Sequence, residues 1–229
     1  VPDAAAVNES VQLCVPARVF SDTVLFNGVL RRFLREGKPF HPEKMPPWQA
    51  YSCPEWLYRQ WKADYGKNTA LELMQAGLDR PPVTVRVNTQ KISASALVQA
   101  FEEQGVKAAP CRWVKDGLLL SRTGGVEQLP GFEEGWFYVQ DSSSQLCASL
   151  MEAKPGQRIY DICAAPGGKS CALALEMKDQ GEVLSFDLYP QKVELIEKNA
   201  ARLGLHSVHP AQWDASQWDS DRPLADGVL

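Results

Sequence analysis

Gly167 and Gly168 follow a short apolar run, Arg158 to Ile162, and precede an apolar stretch from Lys169 to Met177, so they fall at a strand-to-helix turn. Residues without a Cβ let backbone approach a ligand closely. The first amides of a helix also have no partner within it, so such a turn suits a carboxylate or a phosphate. Asp187 stands 18 positions after Lys169, at the end of a second apolar run, Val183 to Phe186. A carboxylate at a strand tip can accept hydrogen bonds from a ribose diol, each worth roughly 1.5–3 kcal/mol because the acceptor is charged. Ligands of parallel α/β sheets bind beyond the carboxyl ends of the strands, where Asp161, the glycine turn and Asp187 are expected to converge. These positions predict a nucleoside-containing ligand.

Three such ligands compete. A P-loop needs Gly-x-x-x-x-Gly-Lys-Ser/Thr; Gly168, Lys169 and Ser170 fit, but Cys163 stands where the opening glycine belongs. The acidic strand tip at Asp187 keeps a P-loop nucleotidase as an alternative. The dinucleotide fingerprint Gly-x-Gly-x-x-Gly is absent. The third candidate is S-adenosyl-L-methionine, whose carboxylate suits the backbone amides and whose ribose suits Asp187. Here the run Asp161-Ile162-Cys163-Ala164-Ala165-Pro166-Gly167-Gly168-Lys169 resembles motif I of the RNA cytosine-5 methyltransferases of the RsmB (Sun/Fmu) and NOP type. Gln140-Asp141-Ser142-Ser143-Ser144-Gln145 resembles the segment before that motif, and Arg86-Val87-Asn88 resembles an upstream strand of the family. Asn27-Gly28-Val29-Leu30-Arg31-Arg32 is similar to the end of the NusB-like RNA-binding domain that RsmB proteins carry at the front. Essentially the whole chain is covered.

The resemblance implies that Cys163, Ala164, Ala165, Pro166, Gly167, Gly168 and Lys169 wrap the methionine end of the cofactor. It also implies that Asp187 holds the ribose and that Asp214 lies near the adenine amino group, with Asp219 and Asp221 as nearby substitutes. Small-subunit ribosomal RNA becomes the expected partner, with Arg31, Arg32 and Arg35 as its contacts. In the family's mechanism a cysteine thiolate adds to cytosine C6, and C5 then takes the methyl group from the sulfonium. A base removes the C5 proton and the thiol leaves. The cysteines that serve it stand in Asp-Ala-Pro-Cys and Thr-Cys-Ser sequences, neither of which occurs here. Cys163 and Cys171 are expected to be small buried packing residues instead. Ala225 to Leu229 resembles the strand that leads into the first of those motifs. The chain is therefore expected to be a fragment, truncated at both ends, that keeps half of the cofactor site and is inactive alone. A non-catalytic RNA-binding or transcription-associated module is the other alternative.

The elements that must hold these residues can be traced along the chain. Phe26, Val29, Leu30, Phe33 and Leu34 recur at helical spacing between Thr23 and Arg35, with Arg31, Arg32 and Arg35 mostly off that stripe, which predicts an amphipathic helix with a basic side. Glu36 to Pro47 reads as a linker. Ser52 and Glu55 have capping-box spacing ahead of a helix with Leu57, Trp61 and Tyr65 on one face. A further helix is expected from Thr69 to Ala76. Val83, Val85 and Val87 alternate with polar residues, as in a half-buried strand. Ser93 can cap a helix bearing Leu97, Val98 and Phe101, ended by Gly105, and strands are expected at Leu118 to Ser121 and Trp136 to Val139. After Pro155-Gly156 come the strand, turn, helix and strand described above, then a helix from Gln191 to Leu203 with Val193, Ile196, Ala200 and Leu203 on one face. Strand, helix, strand, helix is the order of a doubly wound parallel sheet.

The expected fold class is multidomain. Residues 1–37 would form a partial all-α, NusB-like domain; 38–78 a linker with helices; 79–140 a small α+β domain; and 141–229 a truncated α/β Rossmann-like sheet. Composition agrees with a globular protein: 229 residues, 45% hydrophobic and 23% charged. No apolar run approaches the ~20 residues of a membrane span, and Val1 to Ser10 lacks the basic-then-apolar order of a signal peptide. Six cysteines without a Cys-x-x-Cys pair suggest neither a zinc site nor a disulfide framework. A cytoplasmic monomer that binds no metal and no membrane is expected. The net charge is −4, running from +2 in residues 1–70 through −2 in 71–150 to −4 in 151–229. A weakly basic front can meet a polyanion, while an acidic back suits a small ligand.

Overall fold

The computed structural model describes residues 3–14, 22–36, 42–79, 81–121, 124–217 and 220–229. The chain divides into two compact units, Val1–Arg80 and Pro81–Leu229.

In the first unit, α1 (Asp3–Gln12) lies against α2 (Thr23–Glu36). The predicted helix is present, but its apolar stripe is open: α2 buries no residue, and Phe26, Val29 and Phe33 are all about half exposed. The linker expected over 36–47 carries a 3-10 turn, Pro42–Lys44, and ends at α3 (Pro47–Ala50); its residues 37–41 lie outside the described ones. The capping box at Ser52 does not form. α4 (Glu55–Ala76) is preceded by Pro54 at its N-cap, whose carbonyl accepts from the amides of Leu57 and Tyr58, and Ser52 has a left-handed φ of +50°. Proline drives the residue before it out of the helical region, so no helix can run from Ser52 through Cys53. The separate helix expected from Thr69 is the second part of α4, joined to the first across Gly66 at φ +83° and ψ 167°. Tyr58, Ala70 and Met74 are buried, and Trp48 packs on Tyr58 at 5.8 Å between ring centres. Tyr65, expected on the buried face, is exposed beside the Gly66 break.

The second unit opens with β1 (Val83–Val87), α5 (Ala94–Glu103), β2 (Lys107–Pro110), β3 (Gly117–Ser121) and β4 (Phe137–Val139). They form an antiparallel sheet in the order β2-β3-β1-β4. Ser93 caps α5 as expected, its Oγ accepting from the Ala96 amide at 3.2 Å. Val85, Val87, Leu97, Phe101, Leu118 and Phe137 make the core. β1 departs from the half-buried reading, since Thr84 and Arg86 are buried as well. Arg86 reaches across to Glu176, Nη2 to Oε1 at 3.0 Å, so both faces of the strand are covered.

α6 (Ser142–Ser149) follows, capped by Asp141, whose Oδ1 accepts from the Ser143 amide at 2.8 Å. Then come β5 (Arg158–Asp161), α7 (Gly168–Glu176), β6 (Glu182–Asp187), α8 (Pro190–Leu203), β7 (Val208–Gln212) and β8 (Gly227–Val228). Every pairing in this second sheet is parallel and the order is β7-β6-β5-β8, the doubly wound arrangement expected. Ile159 and Val183 face Leu173 of α7 and Ile196, Ala200 and Leu203 of α8. On the opposite face Tyr160, Phe186 and Trp213 stack edge to face, at 5.5 and 4.9 Å between ring centres.

Side chains stitch the two sheets together. Asn88 Nδ2 donates to the carbonyls of Gly135 and Leu203, both at 2.9 Å. Arg202 lies over the Phe132 ring at 4.1 Å and donates to the carbonyls of Phe132 and Phe137. Tyr138 Oη donates to the Gly168 carbonyl at 3.1 Å.

Candidate functional site

β5 and β6 run side by side with Asp161 opposite Ser185, so the chain leaves both strands on one edge of the sheet. The β5 exit is the turn from Ile162 to Gly167. Gly167 has φ +98°, and a Cβ there would come within 3.1 Å of Ile196 Cγ2 and 3.2 Å of Ile196 Cα. Only glycine lets the turn settle this close to α8 and aim α7 out of the sheet. The turn is pinned by Ala164, whose amide donates to the Phe186 carbonyl at 2.8 Å, and by Asn199, whose Nδ2 donates to the Pro166 carbonyl at 2.8 Å.

Asp161 ends β5 against the glycine turn, as expected, and it is buried there as an internal brace. Its carboxylate accepts from Ser170 Oγ at 2.7 Å and from the amides of Cys163 and Ser170. Burial pushes its pKa up, against these hydrogen bonds and the nearby Lys169. With the Ser170 amide so engaged, the amides of Gly168 and Lys169 remain at the open end of α7. Unpartnered amides at the start of a helix can bind a carboxylate or a phosphate.

Asp187 ends β6 and is 9% exposed. Its Oδ1 accepts from the Tyr189 amide at 3.3 Å, and its carbonyl accepts from the Trp213 amide at 3.1 Å. The glycine turn and Asp187 thus come together as expected. Asp214 lies just beyond β7, in register with the β6 end, yet it is exposed. Its Oδ1 accepts from the Ser216 amide at 3.0 Å and from Ser216 Oγ at 2.6 Å, and the Ser216 hydroxyl is the main reason its pKa is lowered. Its substitute Asp219 is outside the described residues. A cavity of about 490 Å³ lies on the aromatic face, lined by Tyr160, Ile162, Trp213, Gln217 and Leu224, and includes neither residues 163–169 nor Asp187.

The cysteines split. Cys171 is fully buried in the α7 core, as expected, and burial pushes its thiol up to about 12, so it stays protonated at neutral pH. Cys163 is exposed, contrary to the packing role expected of it, because its amide rather than its side chain is turned inward onto Asp161. Among the described residues no cluster of His, Cys, Asp and Glu could hold a metal, and no helix is long and apolar enough to cross a membrane. In the first unit Arg31, Arg32 and Arg35 are all exposed on α2. Arg31 Nε donates to Asn27 at 2.8 Å and Arg32 pairs with Glu36 at 2.5 Å.

Sequence reasoning missed two residues that reach the glycine turn, Tyr138 on β4 and Gln140 just past its end. A Cβ on Gly168 would lie 3.5 Å from Gln140 Nε2. The signal was present in Gln140, the first residue of the segment before motif I, though nothing in spacing alone says that it touches the turn.

Comparison with known proteins bears on this geometry. Residues 53–127 match the family model "Methyltr_RsmF/B-like, ferredoxin-like domain", and residues 148–229 match "16S rRNA methyltransferase RsmB/F". This chain belongs to the RsmB/NOP family. A "Probable ribosomal RNA small subunit methyltransferase B" of Synechocystis is 34% identical over 222 residues, 95% of this chain and 50% of the relative. The "Ribosomal RNA small subunit methyltransferase B" of Citrobacter koseri is 33% identical over 233 residues, 99% of this chain and 54% of the relative. The chain spans about half the length of the curated relatives it matches. The crystal structure of a methyltransferase homolog protein from Pyrococcus horikoshii superposes with a TM-score of 0.66 at 27% identity, covering 76% of this chain and 56% of that one. RsmB/F proteins use S-adenosyl-L-methionine. The P-loop and non-catalytic readings draw no support from these relatives.

Proposed function

We propose that this chain is the cofactor-binding part of an S-adenosyl-L-methionine-dependent cytoplasmic methyltransferase acting on cytosine C5 of small-subunit ribosomal RNA. The observation that carries the cofactor reading is the meeting of the Gly167–Gly168 turn and Asp187 at the exits of the neighbouring parallel strands β5 and β6. The amides of Gly168 and Lys169 hold the methionine carboxylate, with the α7 dipole adding attraction, and residues 163–166 enclose that end. Asp187 accepts from the ribose hydroxyls, and Asp214 is the acidic residue nearest the adenine side. The bound cofactor supplies an electrophilic methyl group.

The RNA reading rests on the curated relatives' names and on the exposed arginines Arg31, Arg32 and Arg35, with α1 and α2 as part of a NusB-like RNA-binding domain. Attack on C6 needs a thiolate, and the buried, protonated Cys171 is unfit for it. No cysteine of residues 1–229 stands in an Asp-Ala-Pro-Cys or Thr-Cys-Ser sequence. The nucleophile therefore belongs to a segment outside this chain, and the chain alone transfers no methyl group.

Calorimetric titration with S-adenosylhomocysteine, beside a titration with ATP and magnesium, tests the cofactor reading. Saturable one-to-one binding of S-adenosylhomocysteine and none of ATP is expected. The reverse result would return the site to the P-loop alternative.

A further inference from the structure

A buried side chain just past the end of β4 stands against the glycine turn with nothing to bond to. Gln140 is 6% exposed, and neither its Nε2 nor its Oε1 has a hydrogen-bond partner. Its backbone is fully engaged: the amide donates to the Thr84 carbonyl at 3.0 Å and the carbonyl accepts from Gln145 Nε2 at 2.9 Å. The root of the side chain is therefore fixed while its tip is unsatisfied. That tip packs on Gly168, the first residue of α7, where a Cβ would lie 3.5 Å from Nε2 and 3.8 Å from Cδ. Two residues earlier, on β4, Tyr138 bonds the Gly168 carbonyl from its buried hydroxyl. Folded chains seldom leave a buried carboxamide without partners, and where one persists it calls for a functional or solvent explanation.

We infer that Gln140 is a cofactor-contacting residue, whose carboxamide engages the amino-acid end of the ligand when that end docks on the amides of Gly168 and Lys169. This rests on the S-adenosyl-L-methionine reading of the site and deepens it. The chemistry matches: a carboxamide offers an NH2 donor and a carbonyl acceptor side by side, and an α-amino acid offers a carboxylate and an ammonium in the same arrangement. A phosphate would use only the donor half. The inference brings the segment that follows β4 into the cofactor site and explains a polar side chain that the fold leaves without a partner.

The test uses two ligands and two variants of the 229-residue chain. S-adenosylhomocysteine carries the amino-acid end; 5′-methylthioadenosine has the same adenosine without it. Gln140→Met removes both polar atoms at similar volume. We expect it to weaken S-adenosylhomocysteine about tenfold, the effect of one charge-assisted hydrogen bond, and to leave 5′-methylthioadenosine binding unchanged. Thermal unfolding of the ligand-free variant should match or exceed that of the parent, because an unsatisfied buried amide is gone. Gln140→Glu should weaken S-adenosylhomocysteine further by opposing its carboxylate. Equal loss for both ligands, or lowered ligand-free melting with unchanged affinity ratios, would make Gln140 a structural residue and overturn the inference. No S-adenosylhomocysteine binding by the unaltered chain would overturn the cofactor reading itself, and this inference with it.

Discussion

Asp161 and Asp187 end neighbouring strands, yet hydrogen bonding divides their work. Asp161 spends its carboxylate on Ser170 and the turn amides, whereas Asp187 has only the 3.3 Å contact from the Tyr189 amide and keeps acceptor capacity for a ligand. Asp187→Ala is expected to weaken S-adenosylhomocysteine by roughly 10- to 100-fold, from the loss of one or two charge-assisted bonds, with little change in ligand-free melting; calorimetry of both proteins checks it. Asp179 is a structural counterpart. Desolvation raises its pKa, but hydrogen bonds from Ser207 and the amide of His206 outweigh that and hold the carboxyl below its ordinary 3.8. A depressed folded pKa means that the unfolded chain binds the proton more readily. The stabilisation is therefore complete at pH values above about 4 and is lost as pH falls through the folded value. Asp179→Ala should cost about 1 kcal/mol at pH 7, below the roughly 1.5–3 kcal/mol of a charged acceptor because solvent screens the group. The gap between its melting temperature and the parent's should close as the pH is lowered toward 3.

The turn and the strands around it were readable from residue pattern because their local and tertiary demands agree. Gly167, the apolar runs 158–162 and 183–186, and the Ser93 cap all specify the element that the structure contains. The Ser52 capping box failed because Pro54 constrains its neighbour, a backbone effect that outranks a side-chain bond. β2 could not be seen in Lys-Ala-Ala-Pro, a run of weak strand formers; its place comes from pairing with β3. Tyr138 and Gln140 escaped for a similar reason, since their meeting with Gly168 bridges 28 or more residues of sequence. The seam between the two sheets is the element-level feature that fixes this meeting, and Gly135 is its tightest point. Gly135 has φ +68°, and a Cβ there would run into the Arg202 carbonyl and the Leu203 backbone. Both atoms belong to the end of α8, where Asn88 and Lys91 also bond backbone carbonyls, so neither can retreat cheaply. Gly135→Ala is expected to cost roughly 2–4 kcal/mol in urea unfolding, combining left-handed strain with displaced backbone. A loss under about 1 kcal/mol would mean that the seam adjusts freely.

For the molecule as a whole, the difficulty is a chain of net charge −4 that is proposed to meet a polyanion. Charge alone would place RNA away from residues 151–229, which carry the −4, and toward the weakly basic first unit. There α2 offers three exposed arginines on a helix whose apolar residues are also largely open. The Arg32–Glu36 pair is no obstacle, since an exposed i, i+4 pair is worth only about 0.3–0.5 kcal/mol and a phosphate can replace the carboxylate. Phosphate contacts release counterions, so each arginine that engages RNA adds roughly 0.7–0.9 to the slope of log affinity against log salt. If all three do so, the combined variant Arg31→Ala, Arg32→Ala, Arg35→Ala should lower that slope by roughly 2–3. The measurement is fluorescence anisotropy with a small-subunit ribosomal RNA oligonucleotide across a salt series. Because these residues are surface groups of the first unit, S-adenosylhomocysteine binding by the second should stay as it was, which separates lost RNA contact from lost fold. A slope that does not move would take α2 out of the RNA surface and leave the basic residues beyond it as the contacts to be mapped.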